Sequence, residues 1–66
     1  MQSEKHKGYV LWSHAILQAQ KYAASGTITK DNRVIEASGV LDDFATEEEA
    51  ETAGLAWARA WVDNHG

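Results

Sequence analysis

Apolar positions along this chain follow one spacing up to about residue 41 and another after residue 46. Residues 8–17 (GYVLWSHAIL) are rich in aromatic and β-branched side chains and read as a strand. Residues 18–20 form a polar break. Residues 21–30 (KYAASGTITK) read as a second strand with unusually small side chains, and residues 33–41 (RVIEASGVL) as a third. Asp31-Asn32 between them suits a two-residue hairpin turn, because both residues tolerate positive φ. From Thr46 the period becomes helical, and TEEEAETAGLAWARAWVDN predicts a helix over residues 46–64. Ala50, Ala53, Gly54, Trp57 and Trp61 recur at spacings of three and four and share one stripe, which Leu55, Ala58 and Val62 widen on one flank. Glu48, Thr52, Arg59 and Asp63 fall on the opposite side, expected to face water. The pattern therefore predicts an α+β fold, a three-stranded antiparallel meander with one C-terminal helix packed on one face (βββα). Residues 1–7 are expected to form a flexible polar tail, and residues 8–66 a single domain.

The helix start is well marked. Thr46 and Glu49 have capping-box spacing, in which the hydroxyl accepts the Glu49 N–H and the carboxylate reaches back to the Thr46 N–H. Glu47, Glu48, Glu49 and Glu51 occupy the first turns, where the helix dipole favours negative charge. Gly54 costs about 1 kcal/mol relative to alanine in a helix. Its place on the stripe points to close approach of the helix backbone to the sheet.

A two-residue turn at Asp31-Asn32 sets Ile28 opposite Ile35, Gly26 opposite Ala37, Ala24 opposite Gly39 and Tyr22 opposite Leu41. Opposed residues point to the same face. A slip of one residue would set Ile28 against Glu36 and mix the faces. A second turn at Ala19-Gln20, whose residues are poor turn formers, adds the first strand. The helix-side face then has a large row (Leu17, Tyr22, Leu41), two small rows (Ala15, Ala24, Gly39; Ser13, Gly26, Ala37) and a far row (Leu11, Ile28, Ile35). Trp57 and Trp61 are expected to fill the trough left by the small rows, and truncating either to alanine is expected to cost about 3–5 kcal/mol. The opposite face carries Val10, Trp12, His14, Ile16 and Glu36, the candidate partner-binding residues. If the first strand is turned over, Trp12 enters the core and Tyr9 lies outside.

Length and composition narrow the function. A chain of 66 residues has room for one domain and is marginally stable alone. With no cysteine, a disulfide is excluded and a reducing, cytoplasmic setting is expected. The net charge of −4 argues against nucleic acid, whose affinity comes mostly from Lys and Arg. No apolar run approaches membrane-spanning length, and MQSEKHKG has no apolar segment typical of a signal peptide.

Candidate chemistry is sparse. His6, His14 and His65 lie on three distant segments without metal-ligand spacing, so no metal site and no cofactor is expected. Asp42, Asp43 and the glutamates after them lack the glycine and spacing of a calcium loop. Ser13 and His14 are neighbours on a strand and point to opposite faces, so they cannot form a nucleophile–base pair. No glycine-rich phosphate loop or nucleophile elbow is present. An enzyme is not expected, nor a small-molecule substrate.

K-G-Y-x-L at Lys7 to Leu11, K-Y-A-A-S at Lys21 to Ser25, F-A-T-E-E-E-A at Phe44 to Ala50 and W-A-R-A-W-V at Trp57 to Val62 together cover most of the chain. In these segments it resembles a group of small bacterial βββα proteins described as domains of unknown function. The resemblance implies the fold and no activity. The F-x-T-x-E-E-A lead-in also resembles plant ethylene-responsive domains and the arm-binding domains of tyrosine recombinases, whose sheet reads DNA through arginines. Here the same face offers Trp12, His14, Thr27 and Glu36, with Lys21, Lys30 and Arg33 at its rim. The C-terminal part of double-stranded-RNA-binding domains is similar too, but has a basic helix start. The expected function is thus a non-enzymatic protein-interaction or homodimerisation module using the open sheet face. The alternative is a nucleic-acid-binding module of the arm-binding kind.

Overall fold

A computed structural model describes residues 2–65. Five strands, β1 (Gln2–His6), β2 (Tyr9–Gln18), β3 (Lys21–Lys30), β4 (Arg33–Ala37) and β5 (Asp42–Phe44), precede one helix, α1 (Glu47–His65). The sheet is antiparallel, ordered β1-β2-β3-β4, and β5 pairs with β3 further along the edge that β4 occupies. The small α+β architecture is as expected, but the sheet has more strands than three. Residues 2–6, expected as a tail, form edge strand β1, paired with β2 from Gln2↔Ser13 to His6↔Tyr9. The physical reason lies in Lys7-Gly8, a third two-residue turn at φ 53° and 86° that folds the polar segment back.

The other two turns fall where expected. Ala19-Gln20 (φ 48° and 68°) and Asp31-Asn32 (φ 53° and 65°) both hold left-handed residues at their two central positions, the backbone whose twist matches the flanking strands. Consequently β2 and β3 pair in the expected register, with Leu11↔Ile28, Ser13↔Gly26, Ala15↔Ala24 and Leu17↔Tyr22. The expected first strand, now β2, has Ser13 toward the helix, where its Oγ–H donates to the Glu51 carbonyl at 2.6 Å. Trp12 is therefore on the opposite face, and the turned-over alternative does not hold.

The expected third strand, now β4, departs from expectation. Thr29↔Val34 follows the tight turn, but a bulge at Ile35 then sets Ile28 opposite Glu36 and Thr27 opposite Ala37. Beyond it the chain swings out through Gly39 (φ 70°) while Ser38 N and Leu41 N donate to Gly26 O at 2.9 Å and Ala24 O at 2.8 Å. By Tyr22 the partner is Phe44, not Leu41. Ile35 and Gly39 thus leave the rows assigned to them. Leu41 is exposed, and Leu17 is 63% exposed because the helix does not reach that end of the sheet.

The core lies between α1 and the β2–β3 pair. Leu11, Ile28, Ala58 and Val62 are fully buried, with Tyr9, Leu55, Trp57 and Trp61 packed around them. The buried line of the helix is Ala50, Glu51, Gly54, Ala58 and Val62, so the stripe is rotated from its expected centre toward the flank of Ala58 and Val62. Gly54 sits on the sheet so closely that a Cβ there would meet Ser13 Oγ and lie 2.6 Å from Ser25 O. Trp57 fills the space above Gly26, where a Cβ would stand 2.8 Å from its ring. That part of the trough holds as expected, but it ends before Gly39. Trp61 is half-buried and stacks on His65 with ring centroids 4.5 Å apart.

Capping is a variant of the box. Thr46 Oγ1 accepts the Glu49 N–H at 3.1 Å and donates to Glu49 Oε1 at 3.1 Å, so the carboxylate meets the hydroxyl rather than the Thr46 N–H.

Candidate functional site

The face of the sheet away from α1 is built mainly by alternation in β2 and β3. From β2 it receives Val10, Trp12, His14 and Ile16; from β3 it receives Ala23, Ser25, Thr27 and Thr29, their partners in register. Ser3 and Lys5 of β1 stand opposite Trp12 and Val10 and extend the face on one side. Val34, opposite Thr29, extends it on the other. Trp12 and His14 are half-buried by their neighbours, whereas Ile16 is 46% and Val34 68% exposed.

Four of the five expected face residues, Val10, Trp12, His14 and Ile16, share this surface. Glu36 does not. Its partner across the ladder is Ile28, a core residue on the helix side, and opposed residues share a face. The bulge at Ile35 inserts one residue, and this reverses every side chain that follows until the next irregularity. The centre of the face therefore carries no carboxylate, and its charges, Lys5, Lys21 and Asp43, lie at the rim.

Trp12 is held in place from within. Its Nε1–H donates to Thr29 Oγ1 at 3.0 Å, and the Thr29 hydroxyl donates to the Val10 carbonyl at 3.4 Å. Both polar hydrogens are used, so covering the indole strands no donor. An unmet buried donor would otherwise cost about 1–3 kcal/mol.

Ser3 and Lys5 are members of the face that sequence reasoning did not assign, whereas Val34 stands opposite Thr29 as the register predicts. The alternation of Ser3 and Lys5 with Glu4 and His6 was available as a signal, but polar composition masked it. Glu4 and His6 point to the helix side. Arg59 Nη2 and Nε donate to Glu4 Oε1 and Oε2 at 2.8 and 3.0 Å. His6 Nε2 and Lys7 Nζ lie 2.8 and 3.0 Å from Asp63 Oδ1. Arg59 and Asp63 are exposed, as expected, and also pin β1 to α1. The Arg59 guanidinium holds the Glu4 carboxyl below its ordinary pKa, and hydrogen bonds from His6 and then Lys7 do the same for Asp63. The paired Glu4 carboxylate in turn raises Arg59.

The histidines stay apart. His14 is on the open face, His6 is against Asp63, and His65 Nδ1–H donates to the Trp61 carbonyl at 3.0 Å. Among the described residues, no group of three or more His, Cys, Asp or Glu side chains comes together to hold a metal ion. No helix among them is long and apolar enough to cross a membrane. A groove of about 350 Å³ runs along the start of α1, lined by Phe44, Glu48, Glu49, Thr52, Ala53 and Ala56. Its polar groups are two carboxylates and one hydroxyl, all on its acidic wall.

No curated protein and no solved structure matches the chain. One family model, described as Domain of unknown function (DUF6566), matches residues 1–66. Since that match spans the whole sequence, the chain belongs to the uncharacterised domain family DUF6566.

Proposed function

We propose that this domain is a non-enzymatic protein-interaction module that works through the helix-free face of its sheet. One observation carries the reading: Trp12 stands on that face with its Nε1–H already satisfied by Thr29, among Val10, Ile16 and Val34 and with charge only at the rim. An aromatic anchor with apolar neighbours and a charged rim is the usual anatomy of a protein–protein contact. A photo-cross-linking amino acid placed at position 12 of the full chain, in its native host, tests it. The expected result is one defined protein adduct from position 12 and none from the helix-side position 59. Equal or absent labelling from both positions overturns the reading.

A second reading, a sheet-mediated nucleic-acid-binding module, draws support from one specific feature. The bulge takes Glu36 off the face while β1 adds Lys5 to it. Titration against DNA at low and high salt tests this reading, because phosphate contacts make affinity fall steeply with salt. No binding at low ionic strength ends it.

A further inference from the structure

We infer that β1 is a releasable strap, which opens while the core stays folded and whose ion pairs with α1 control the exposure of Trp12. The control of Trp12 rests on the interaction reading above; the opening does not. The strand reads QSEKH, and none of its side chains is fully buried. The core of Leu11, Ile28, Ala58 and Val62 takes nothing from it. Its attachment is of two kinds. One is the ladder to β2, from Gln2↔Ser13 to His6↔Tyr9. The other is a set of charge contacts with two residues one helical turn apart: Glu4 with Arg59, and His6 and Lys7 with Asp63. The side chains in these contacts are between 22% and 59% exposed, so dissolved salt weakens them. A segment with few buried apolar contacts opens locally, at less cost than global unfolding. Opening also lets Lys7, a non-glycine residue at φ 53°, leave the left-handed region.

The strap lies beside the candidate site. Ser3 stands opposite Trp12 on one side, as Thr27 does on the other. Side chains so opposed have Cβ atoms about 4.5–5.5 Å apart, so Ser3 borders one flank of the indole. Release of β1 uncovers that flank and the adjoining backbone edge of β2. The Nε1–H bond to Thr29 comes from β3 and survives, so Trp12 gains exposure without losing its orientation. Arg59 and Asp63 contact β1 from the helix side of the sheet, so their charges reach the Trp12 face through β1.

The test is amide hydrogen exchange on the full 66-residue chain, followed by NMR at one pH and at about 0.05 M and about 0.5 M salt, between which the screening length falls about threefold. The β1 amides bonded to β2 are expected to exchange roughly tenfold or more faster than the β2–β3 amides. High salt is expected to quicken them further while the β2–β3 amides hold their rate. Glu4→Arg and Arg59→Glu should each quicken β1 exchange, and the double variant should slow it again, because the pair is re-formed with its charges exchanged. Should a variant fail to fold, the salt series on the unmodified chain still decides the opening. One common rate for both sets of amides, or a β1 rate indifferent to salt, overturns the strap. The yield of the position-12 cross-link is expected to rise in Glu4→Arg and to fall back in the double variant. Equal yields in all three forms overturn the control of Trp12. If no form gives an adduct, the interaction reading fails and the control of Trp12 with it, whereas the opening of β1 stands or falls on the exchange rates.

Discussion

Gly54 shows how much of this structure turns on one missing methyl group. In isolation Gly54→Ala favours the helix by about 1 kcal/mol. In the folded chain the new Cβ would meet Ser13 Oγ and Ser25 O, and forced contacts of this kind cost about 1–3 kcal/mol. The second effect wins, so urea denaturation is expected to show a net loss of stability. Adding Ser13→Ala removes the hydroxyl but not the Ser25 carbonyl at 2.6 Å, so the double variant should recover only part of the loss. Full additivity of the two changes would show that they do not share this contact. Trp57→Ala is the complementary case: it opens the space over Gly26. Because Trp57 is only half-buried, the expected cost falls at or below about 3 kcal/mol, the lower end for aromatic truncations, measured by the same method.

Among the elements, β1 and the turns carry the testable consequences. At Ala19-Gln20 two ordinary residues adopt positive φ, at roughly 1–2 kcal/mol each for non-glycine residues in the left-handed region. Replacing the pair by Ala19→Asn and Gln20→Gly, the preferred chemistry of this turn, should raise the melting temperature. An unchanged or lower value would mean that the turn is not strained. The attachment of β1 to α1 is acid-sensitive. Glu4 and Asp63 have pKa values depressed in the folded state by Arg59 and by His6 with Lys7, respectively. Depressed values mean that their stabilising contribution is present above the unfolded pKa and disappears as pH falls through the lowered folded value, below about pH 4. Thermal unfolding between pH 6 and pH 3 should therefore lose more in the unmodified chain than in Glu4→Gln. Parallel curves would place the acid sensitivity elsewhere.

At the scale of the molecule, charge is divided between two sides. Glu47, Glu48 and Glu49 crowd the start of α1, while the open sheet face keeps its few charges at the edge.

Local rules determined a large part of this protein from its sequence. They placed the helix with its Thr46–Glu49 start, the β2–β3 register and the contact between Gly26 and Trp57, but left open the side of the sheet on which Trp12 stands, which packing of Leu11 and Ser13 against the helix decided. Each feature so placed depends on spacing within one element or across one tight turn, where few residues decide the geometry. The family resemblance reached no further than fold. What the tertiary structure alone decided arises from contacts between distant segments. β1 is polar throughout, and its pairing with β2 is reinforced by Arg59 and Asp63, more than fifty residues away. The bulge at Ile35 and the excursion through Gly39 are registered against β3: Ser38 Oγ accepts the Gly26 N–H at 2.8 Å and thereby holds the irregular edge. Strand alternation has a period of two, so one inserted residue transfers Glu36 to the other face. No local preference along residues 33–41 records that insertion, because only the packed neighbour strand determines which backbone groups must be paired.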